Sequence, residues 1–167
     1  TELLDTAPIP GGGGELGLYQ RGQDLVIKIV GGQELMSTRA HGSEDALGKT
    51  ACTDFAEHTR PRVLIGGLGM GSTLSAALRR LGPDAEVFVA ELVPAVVEWN
   101  RGSLGEYADH PLRDERVRVR EVDVSIILEA EPSGFDVIVL DVDNGPEGLT
   151  REANHRLYSR AGLTAAY

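Results

Sequence analysis

The stretch Val63-Leu-Ile-Gly-Gly-Leu-Gly-Met-Gly71 decides the fold of this chain. Its three leading apolar residues predict a short buried strand, and its glycines predict a tight turn before a helix that begins at Ser72. Glycines let the backbone pass close to a ligand, and a helix N-terminus offers it free N–H groups. The stretch therefore predicts either a ligand-binding loop or a turn that serves packing alone.

Apolar strands alternate with helices on the C-terminal side of this stretch. The predicted strands are Val63–Ile65, Glu86–Ala90, Val117–Val122 and Phe135–Leu140, and the predicted helices are Ser72–Leu81, Pro94–Leu104, Val124–Ala130 and Arg151–Ala166. This alternation is typical of βαβ crossovers and a parallel sheet. We therefore predict an α/β fold in which a Rossmann-like parallel sheet carries helices on both faces.

The residues before this stretch predict two further segments. Residues 1–14 contain two prolines and four consecutive glycines and predict a flexible N-terminal arm. Residues 15–60 predict a small antiparallel β-region followed by a helix over Ser43–His58. Residues 61–167 then form the Rossmann-like domain. Because the sequence stops in or just after a predicted helix, we expect C-terminal strands to be missing from it.

Composition excludes several classes of protein. The 167 residues include 26 acidic and 16 basic ones, for a formal net charge of −10, which weighs against general binding to nucleic acid or to an anionic membrane. Its single cysteine, Cys52, excludes an intramolecular disulfide framework and a cysteine zinc cluster. No apolar run is long enough to span a bilayer and no signal peptide is evident, so we expect a cytoplasmic protein.

Acidic residues follow three of the predicted strands. Glu91 lies 20 positions after Gly71, the spacing at which a carboxylate accepts hydrogen bonds from ribose hydroxyls; the alternative is a solvated strand-end glutamate. Asp123 is a candidate acceptor for an adenine amino group and equally a helix N-cap. Strands of a parallel sheet end at the same edge, so these residues and the glycines are expected to converge there as a nucleoside site.

The loop after the fourth predicted strand carries Asp141, Asp143 and Asn144. Two carboxylates and an amide can hold a cationic substrate, and a carboxylate beside a bound amine can remove its proton. The alternative is a turn rich in Asp and Asn. The four histidines lack metal-ligand spacing, so we expect no metal. Trp99 is expected in the core or beside a base, and Cys52 is expected to be inert.

Three stretches together resemble the spermidine synthase (polyamine aminopropyltransferase) family, which has the S-adenosylmethionine-dependent methyltransferase fold. They are the glycine stretch Val63–Gly71, Val89-Ala-Glu-Leu-Val-Pro-Ala-Val-Val97 and Phe135-Asp-Val-Ile-Val-Leu-Asp141. The resemblance implies a transferase of polyamine biosynthesis, a small-molecule amine substrate such as putrescine, and a homodimer. It also implies decarboxylated S-adenosylmethionine, or its parent, as the group donor.

The resemblance also assigns roles to single residues. Asp141 corresponds to the aspartate that deprotonates the attacking amine, with Asp143 and Asn144 beside it. Glu44 keeps the spacing of a glutamate that flanks the site. The residues implied to bind the nucleoside donor are Gln33, Gly66, Gly67, Gly69, Gly71, Glu91, Leu92, Asp123 and Val124.

The chain departs from the family pattern at three places that concern the amine. The second aspartate of the family's post-strand loop falls at Asn144, although Asp143 lies next to it. Gly69 stands where the family's glycine loop carries an aspartate for the donor's aminopropyl amine, and Gly42-Ser43 replaces a tyrosine–histidine pair. The nucleoside half of the site is thus retained and the polyamine half is altered. Methyl transfer from S-adenosylmethionine and a non-catalytic nucleoside-binding homologue remain the alternatives to aminopropyl transfer.

Overall fold

The structure, a computed structural model, describes residues 1–40, 42–54 and 59–141, and it contains two four-stranded sheets. Sheet A is antiparallel, with its strands in chain order: β1 (Glu2–Pro8), β2 (Glu15–Arg21), β3 (Asp24–Ile29) and β4 (Glu34–Ser37). The last three strands confirm the small antiparallel β-region that the sequence predicts before the glycine stretch.

The N-terminal arm predicted over residues 1–14 is instead a strand and a turn. β1 pairs with β2 along its length, from Glu2 opposite Gln20 to Pro8 opposite Glu15. The Ile9 N–H donates to the Gly14 carbonyl over 2.9 Å, and the Ile9 side chain is buried. The prediction was wrong because a glycine run that suits a linker also suits a hairpin turn, where positive φ angles are needed.

Sheet B is parallel and confirms the predicted α/β fold. It contains β5 (Arg62–Gly66), β6 (Glu86–Ala90), β7 (Val117–Arg120) and β8 (Val137–Leu140), in the spatial order β7-β6-β5-β8. The chain moves from β5 to one side of the sheet for β6 and β7, then returns to the other side for β8. The carboxyl ends of β5 and β8 therefore form a topological switch point, where open α/β sheets bind their ligands.

Helices cover both faces of sheet B. They are α1 (Gly42–Thr53), α2 (Ser72–Leu78), α3 (Pro94–Arg101), α4 (Ser103–Tyr107) and α5 (Val124–Ala130), with a 3-10 turn over Pro111–Arg113. Alternate residues of β5 face opposite ways: Val63 and Ile65 join the core shared with α2, α3 and sheet A, whereas Leu64 packs with α5. Sheet A thus lies over the same face of sheet B as the first two crossover helices.

The predicted helix Arg151–Ala166 lies outside the described residues, as do Asp143 and Asn144. Among the described helices, none combines the length and the apolar composition that crossing a membrane requires.

Candidate functional site

The glycine turn between β5 and α2 sits at the switch point. Gly67, Gly69 and Gly71 have φ angles of +94°, +51° and +83°, a region that other residues rarely adopt. The Gly67 N–H donates to the Ala90 carbonyl at the end of β6 over 2.8 Å, which holds the turn against the neighbouring strand. Glycine is therefore required here by backbone conformation, and it leaves the turn open to close approach by a ligand.

Glu91, which follows β6, is buried against this turn. It is only 9% exposed, and its Oε2 accepts a hydrogen bond from the Leu68 N–H over 2.8 Å while Oε1 accepts one from the Val93 N–H over 3.0 Å. Burial raises the pKa of the Glu91 carboxyl, and these backbone N–H groups counteract part of that rise. The solvated strand-end glutamate, the alternative considered for this position, is thus wrong.

The backbone on both sides of the carboxylate fixes its orientation. Besides the Leu68 and Val93 N–H groups, the backbone N–H groups of Gly69 and Leu92 lower the pKa of Glu91. The carboxylate is therefore held at the glycine turn, where a ligand hydroxyl could compete for its oxygens.

The end of β7 also lies beside the turn. Asp123 is half-buried, and its Oδ1 accepts a hydrogen bond from the Ser125 N–H over 2.8 Å, so it is the N-cap of α5. The next residue, Val124, packs on the end of β5 where the turn begins, since a Cβ on Gly66 would lie 3.0 Å from Val124 Cγ2. Leu92 is half-buried beside Glu91. The structure therefore brings the predicted nucleoside-binding residues of three strand ends to one edge.

Asp141 lies directly after β8 on the other side of the turn. Its N–H donates to the Gly66 carbonyl over 2.8 Å, and its Oδ2 accepts a hydrogen bond from the Thr73 hydroxyl over 2.7 Å. Burial raises the pKa of the Asp141 carboxyl; the Thr73 hydroxyl lowers it, and the charge of Glu44 raises it. A carboxylate with a raised pKa binds a proton more readily, which suits a general base.

A cavity of about 130 Å³ adjoins Asp141. We call it the Asp141 cavity, and its lining combines residues of β4, α1, the glycine turn and α2: Leu35, Met36, Glu44, Leu68, Gly69, Met70, Ser72 and Asp141. Within this lining the only ionisable side chains are the two carboxylates. The cavity therefore presents negative charge beside the glycine turn, which suits a cationic group.

Gln33 lies in the turn between β3 and β4. It is exposed, and its backbone carbonyl accepts a hydrogen bond from the Ile29 N–H over 3.0 Å. It does not line the Asp141 cavity, unlike Leu35 and Met36 of the adjoining strand. Because Glu91 and Asp123 do not line that cavity either, the nucleoside-binding role of Gln33 stays a prediction.

Three residues that the sequence did not single out support the site. Thr73 binds Asp141; Met36 reaches the glycine turn; and Asn100 of α3 donates from Nδ2 to the Gly69 carbonyl over 2.8 Å. Thr73 could have been found as a polar residue in the first turn after the glycines. Met36 and Asn100 carry no local signal, because their contacts depend on how distant elements pack.

The remaining candidates are structural where the structure describes them. Trp99 is 5% exposed and its indole N–H donates to Asp5 over 2.8 Å, which places it in the core rather than beside a base. Cys52 is a free, buried thiol. In the part of the chain that the structure describes, no group of three or more His, Cys, Asp or Glu residues is arranged to hold a metal ion.

Comparison with known proteins supports the same family as the motifs. No protein-family model matches the chain. The polyamine aminopropyltransferase 2 of Pseudomonas aeruginosa is 36% identical over 110 residues, which cover 62% of this chain and 31% of that protein. The chain therefore spans about a third of the length of this curated relative.

Solved structures agree on the fold. A spermidine synthase in complex with the transition-state analogue AdoDATO matches 99% of this chain with a TM-score of 0.79 at 16% identity, and the match covers 54% of that chain. The spermidine synthase from Thermotoga maritima matches 94% with a TM-score of 0.70 at 17% identity, over 53% of its own length. The resemblance to the spermidine synthase family is thereby confirmed, and the relatives named here are transferases.

Proposed function

We propose that this chain forms the donor-binding and amine-binding part of an aminopropyltransferase. The enzyme would move an aminopropyl group from decarboxylated S-adenosylmethionine to an amine acceptor. The observation that carries the proposal is the pairing of two environments across the glycine turn: a buried carboxylate at Glu91 and an acidic cavity at Asp141. A cationic sulfonium nucleoside has one end suited to each.

The nucleoside would lie along the glycine turn. Glu91 would accept hydrogen bonds from the ribose hydroxyls, and Asp123 would accept one from the adenine amino group. Leu92 and Val124 would pack on the same ligand. The Glu91 carboxylate is pre-oriented for this role, because its backbone hydrogen bonds hold it in place without a ligand.

In the transfer step, the neutral amine nitrogen attacks the methylene carbon next to the positively charged sulfur. A C–N bond forms as the C–S bond breaks. The electron pair of the broken C–S bond stays on sulfur, so that neutral methylthioadenosine leaves. Asp141 would take the proton that the amine loses, and Asp143 with Asn144 would orient the nucleophile. The protein's contribution is alignment and an acidic environment for the cations.

The charge of the Asp141 cavity favours the decarboxylated donor over its parent. The parent carries a carboxylate on the group that would enter the cavity, and Glu44 and Asp141 would repel it, with no Lys, Arg or His among the described lining residues to pair with it. This observation supports aminopropyl transfer over methyl transfer, whereas Gly69, which stands in place of an aspartate for the aminopropyl amine, favours methyl transfer.

The experiment is a titration of the chain with decarboxylated S-adenosylmethionine, S-adenosylmethionine and methylthioadenosine. An assay of methylthioadenosine release in the presence of amines follows. Decarboxylated S-adenosylmethionine should bind at least tenfold more tightly than its parent, and amines should then release methylthioadenosine. Tighter binding of the parent would replace the proposal with methyl transfer. Binding of methylthioadenosine without transfer to any amine would leave a non-catalytic nucleoside-binding protein.

We also propose that the enzyme is a cytoplasmic homodimer. Sheet A supports an association surface, because β1 is an edge strand and carries the exposed side chains of Leu3 and Leu4. Sedimentation of the chain at several concentrations tests the dimer.

A further inference from the structure

Side chains from two neighbouring elements hold the glycine turn from outside. Glu91, after β6, accepts a hydrogen bond from the Leu68 N–H over 2.8 Å, and Asn100 of α3 donates from Nδ2 to the Gly69 carbonyl over 2.8 Å. A turn that contains several glycines can adopt many backbone conformations, so contacts of this kind decide which one it takes. The proposed function uses the contact with Glu91 and gives no role to the contact with Asn100.

Asn100 is buried where α3 meets the turn. It is 1% exposed, and its Nδ2 also donates to the Val96 carbonyl, one helical turn earlier, over 2.9 Å. A Cβ on Gly71 would lie 2.8 Å from Asn100 Oδ1, so the amide packs directly on the backbone of the turn. The side chain therefore spans from Gly69 to Gly71, and its burial keeps it from touching a ligand.

The stability of the core does not explain an amide at this position. Among the described residues, Asn100 Oδ1 is buried without a hydrogen-bond partner, and a buried acceptor without a partner costs stability. A leucine side chain has similar size and the same branching, and it would fill this space without that cost. What leucine lacks is a donor for the Gly69 carbonyl. The hydrogen bond to the turn is thus the one contribution of Asn100 that packing cannot replace.

This hydrogen bond orients the backbone on both sides of Gly69. The Gly69–Met70 peptide is trans, so its N–H points opposite to the carbonyl and away from Asn100. Leu68, Gly69 and Met70 all line the Asp141 cavity, and the Leu68 N–H binds Glu91. One conformation of the turn therefore sets both the cavity wall and the contact with Glu91.

We propose that Asn100 is a positioning residue for the nucleoside donor, and that its hydrogen bond to the Gly69 carbonyl keeps the glycine turn in the conformation to which the nucleoside binds. This inference rests on the proposed function for the location of the nucleoside. Without the hydrogen bond, the turn has the binding conformation only part of the time, and the apparent affinity falls by that fraction. Saturating donor restores the conformation, so kcat is maintained.

The test measures the Kd of methylthioadenosine by isothermal titration calorimetry with the 167-residue chain and its variants. Asn100→Ala removes the donor, and Asn100→Leu removes it while filling the space; both should raise the Kd at least tenfold. The matched control is Val97→Ala, which shortens another buried side chain of α3. It should lower the unfolding temperature and leave the Kd within about threefold of wild type.

The transfer assay separates positioning from chemistry. With decarboxylated S-adenosylmethionine as donor, both Asn100 variants should raise the KM for the donor and keep kcat within about threefold of wild type. A kcat that falls tenfold at saturating donor would overturn the inference, because Asn100 would then act on the transfer step itself.

Two results of the titration would also overturn the inference. A wild-type Kd in Asn100→Leu would mean that packing alone holds the turn, and an equal loss of affinity in Val97→Ala would mean that any weakening of α3 has the same effect. If Asn100→Ala does not fold, Asn100→Leu, which keeps the volume, decides the question.

Failure of the proposed function gives a different pattern. If the wild-type chain binds methylthioadenosine and turns over no amine, aminopropyl transfer fails on its own, and the Kd comparison still decides the role of Asn100. A wild-type chain that binds no nucleoside would overturn the proposed function and this inference together.

Discussion

Glu91 is the residue on which the proposed nucleoside binding depends most directly. Its buried carboxylate is fixed beside the glycine turn by backbone N–H groups. We predict that Glu91→Gln lowers the affinity for methylthioadenosine about tenfold or more, because a hydrogen bond to a charged acceptor contributes roughly 1.5–3 kcal/mol. Isothermal titration calorimetry measures the change. The matched control is Glu86→Gln, at the exposed start of the strand that precedes Glu91, and it should bind methylthioadenosine like wild type. Equal affinities of the two variants would show that Glu91 does not bind the nucleoside.

Asp141 gives a prediction about pH. If it is the base, turnover rises with pH as its carboxyl loses a proton. The Thr73 hydroxyl lowers the pKa of Asp141 by donating to the carboxylate, so Thr73→Val should raise that pKa and move the acidic limb of the kcat profile to higher pH. Glu44 acts in the opposite direction, since its charge raises the pKa, and Glu44→Gln should move the limb to lower pH.

Rate profiles of the wild-type chain, Thr73→Val and Glu44→Gln at saturating donor and amine measure both shifts, with Thr73→Ser as the variant that keeps a hydroxyl. If the acidic limb of the kcat profile moves in the same direction in Thr73→Val and Glu44→Gln, or moves in neither, a group other than Asp141 controls that limb.

Among the single residues of the candidate site, the sequence could predict those that directly follow a strand of the parallel sheet. Glu91, Asp123 and Asp141 were found because the ends of parallel strands share one edge, and they lie there in the structure. Gln33 and Met36 show the limit of such reasoning. They are three positions apart, yet the cavity is lined by Met36 and not by Gln33, because the register of β4 and the packing of sheet A on the glycine turn decide which side chain faces inward.

Among the elements, α1 packs most closely on α2 at Gly48. A Cβ on Gly48 would lie 2.4 Å from the Thr73 carbonyl oxygen and 3.0 Å from Ala76 Cβ, so α1 and α2 touch through backbone at this point. Gly48→Ala must therefore push α1 away from α2, and Glu44, one turn earlier, moves with it.

We predict that Gly48→Ala destabilises the chain by about 1–3 kcal/mol, the usual cost of overpacking, although alanine has the higher helix propensity. It should also lower kcat/KM for the amine more than it weakens nucleoside binding. Gly42→Ala is the control in the same helix, because a Cβ there meets nothing within 4 Å. Thermal unfolding and the amine assay separate the two variants, and equal stability in both would mean that the helices are not in close contact.

The helices and strands were largely predictable wherever the hydrophobic periodicity and the glycine-containing turns indicate the same boundaries. The four strands of sheet B and the helices between them follow from short apolar runs separated by turn signals. β1 was not predicted, since its exposed pattern shows no buried face and the glycines after it resemble a linker. Its formation depends on pairing with β2, a contact that local sequence does not encode.

For the whole molecule, the two sheets share one hydrophobic core. Buried residues of sheet A, such as Leu18 and Ile27, belong to the same cluster as Val63 and Val89 of sheet B. The separation into residues 15–60 and 61–167 that the sequence suggests therefore marks a change of architecture, and we propose that the two parts unfold together. A sequence pattern shows where strands change type, but the burial between the sheets is formed by residues distant in the chain.

Trp99 fluorescence can test whether the two parts unfold together, because Trp99 is the sole tryptophan of the sequence and lies where α3 meets sheet A. We predict that its fluorescence and the far-UV circular dichroism change at the same temperature. Asp5→Ala, which leaves the buried indole N–H without its acceptor, should lower that common temperature by several degrees, as expected for a loss of about 1–2 kcal/mol in a chain of this size. Glu2→Ala on the same exposed strand should have little effect. A fluorescence transition well below the circular dichroism transition would instead mean that sheet A separates first, and that the Asp141 cavity, which needs β4, opens before sheet B unfolds.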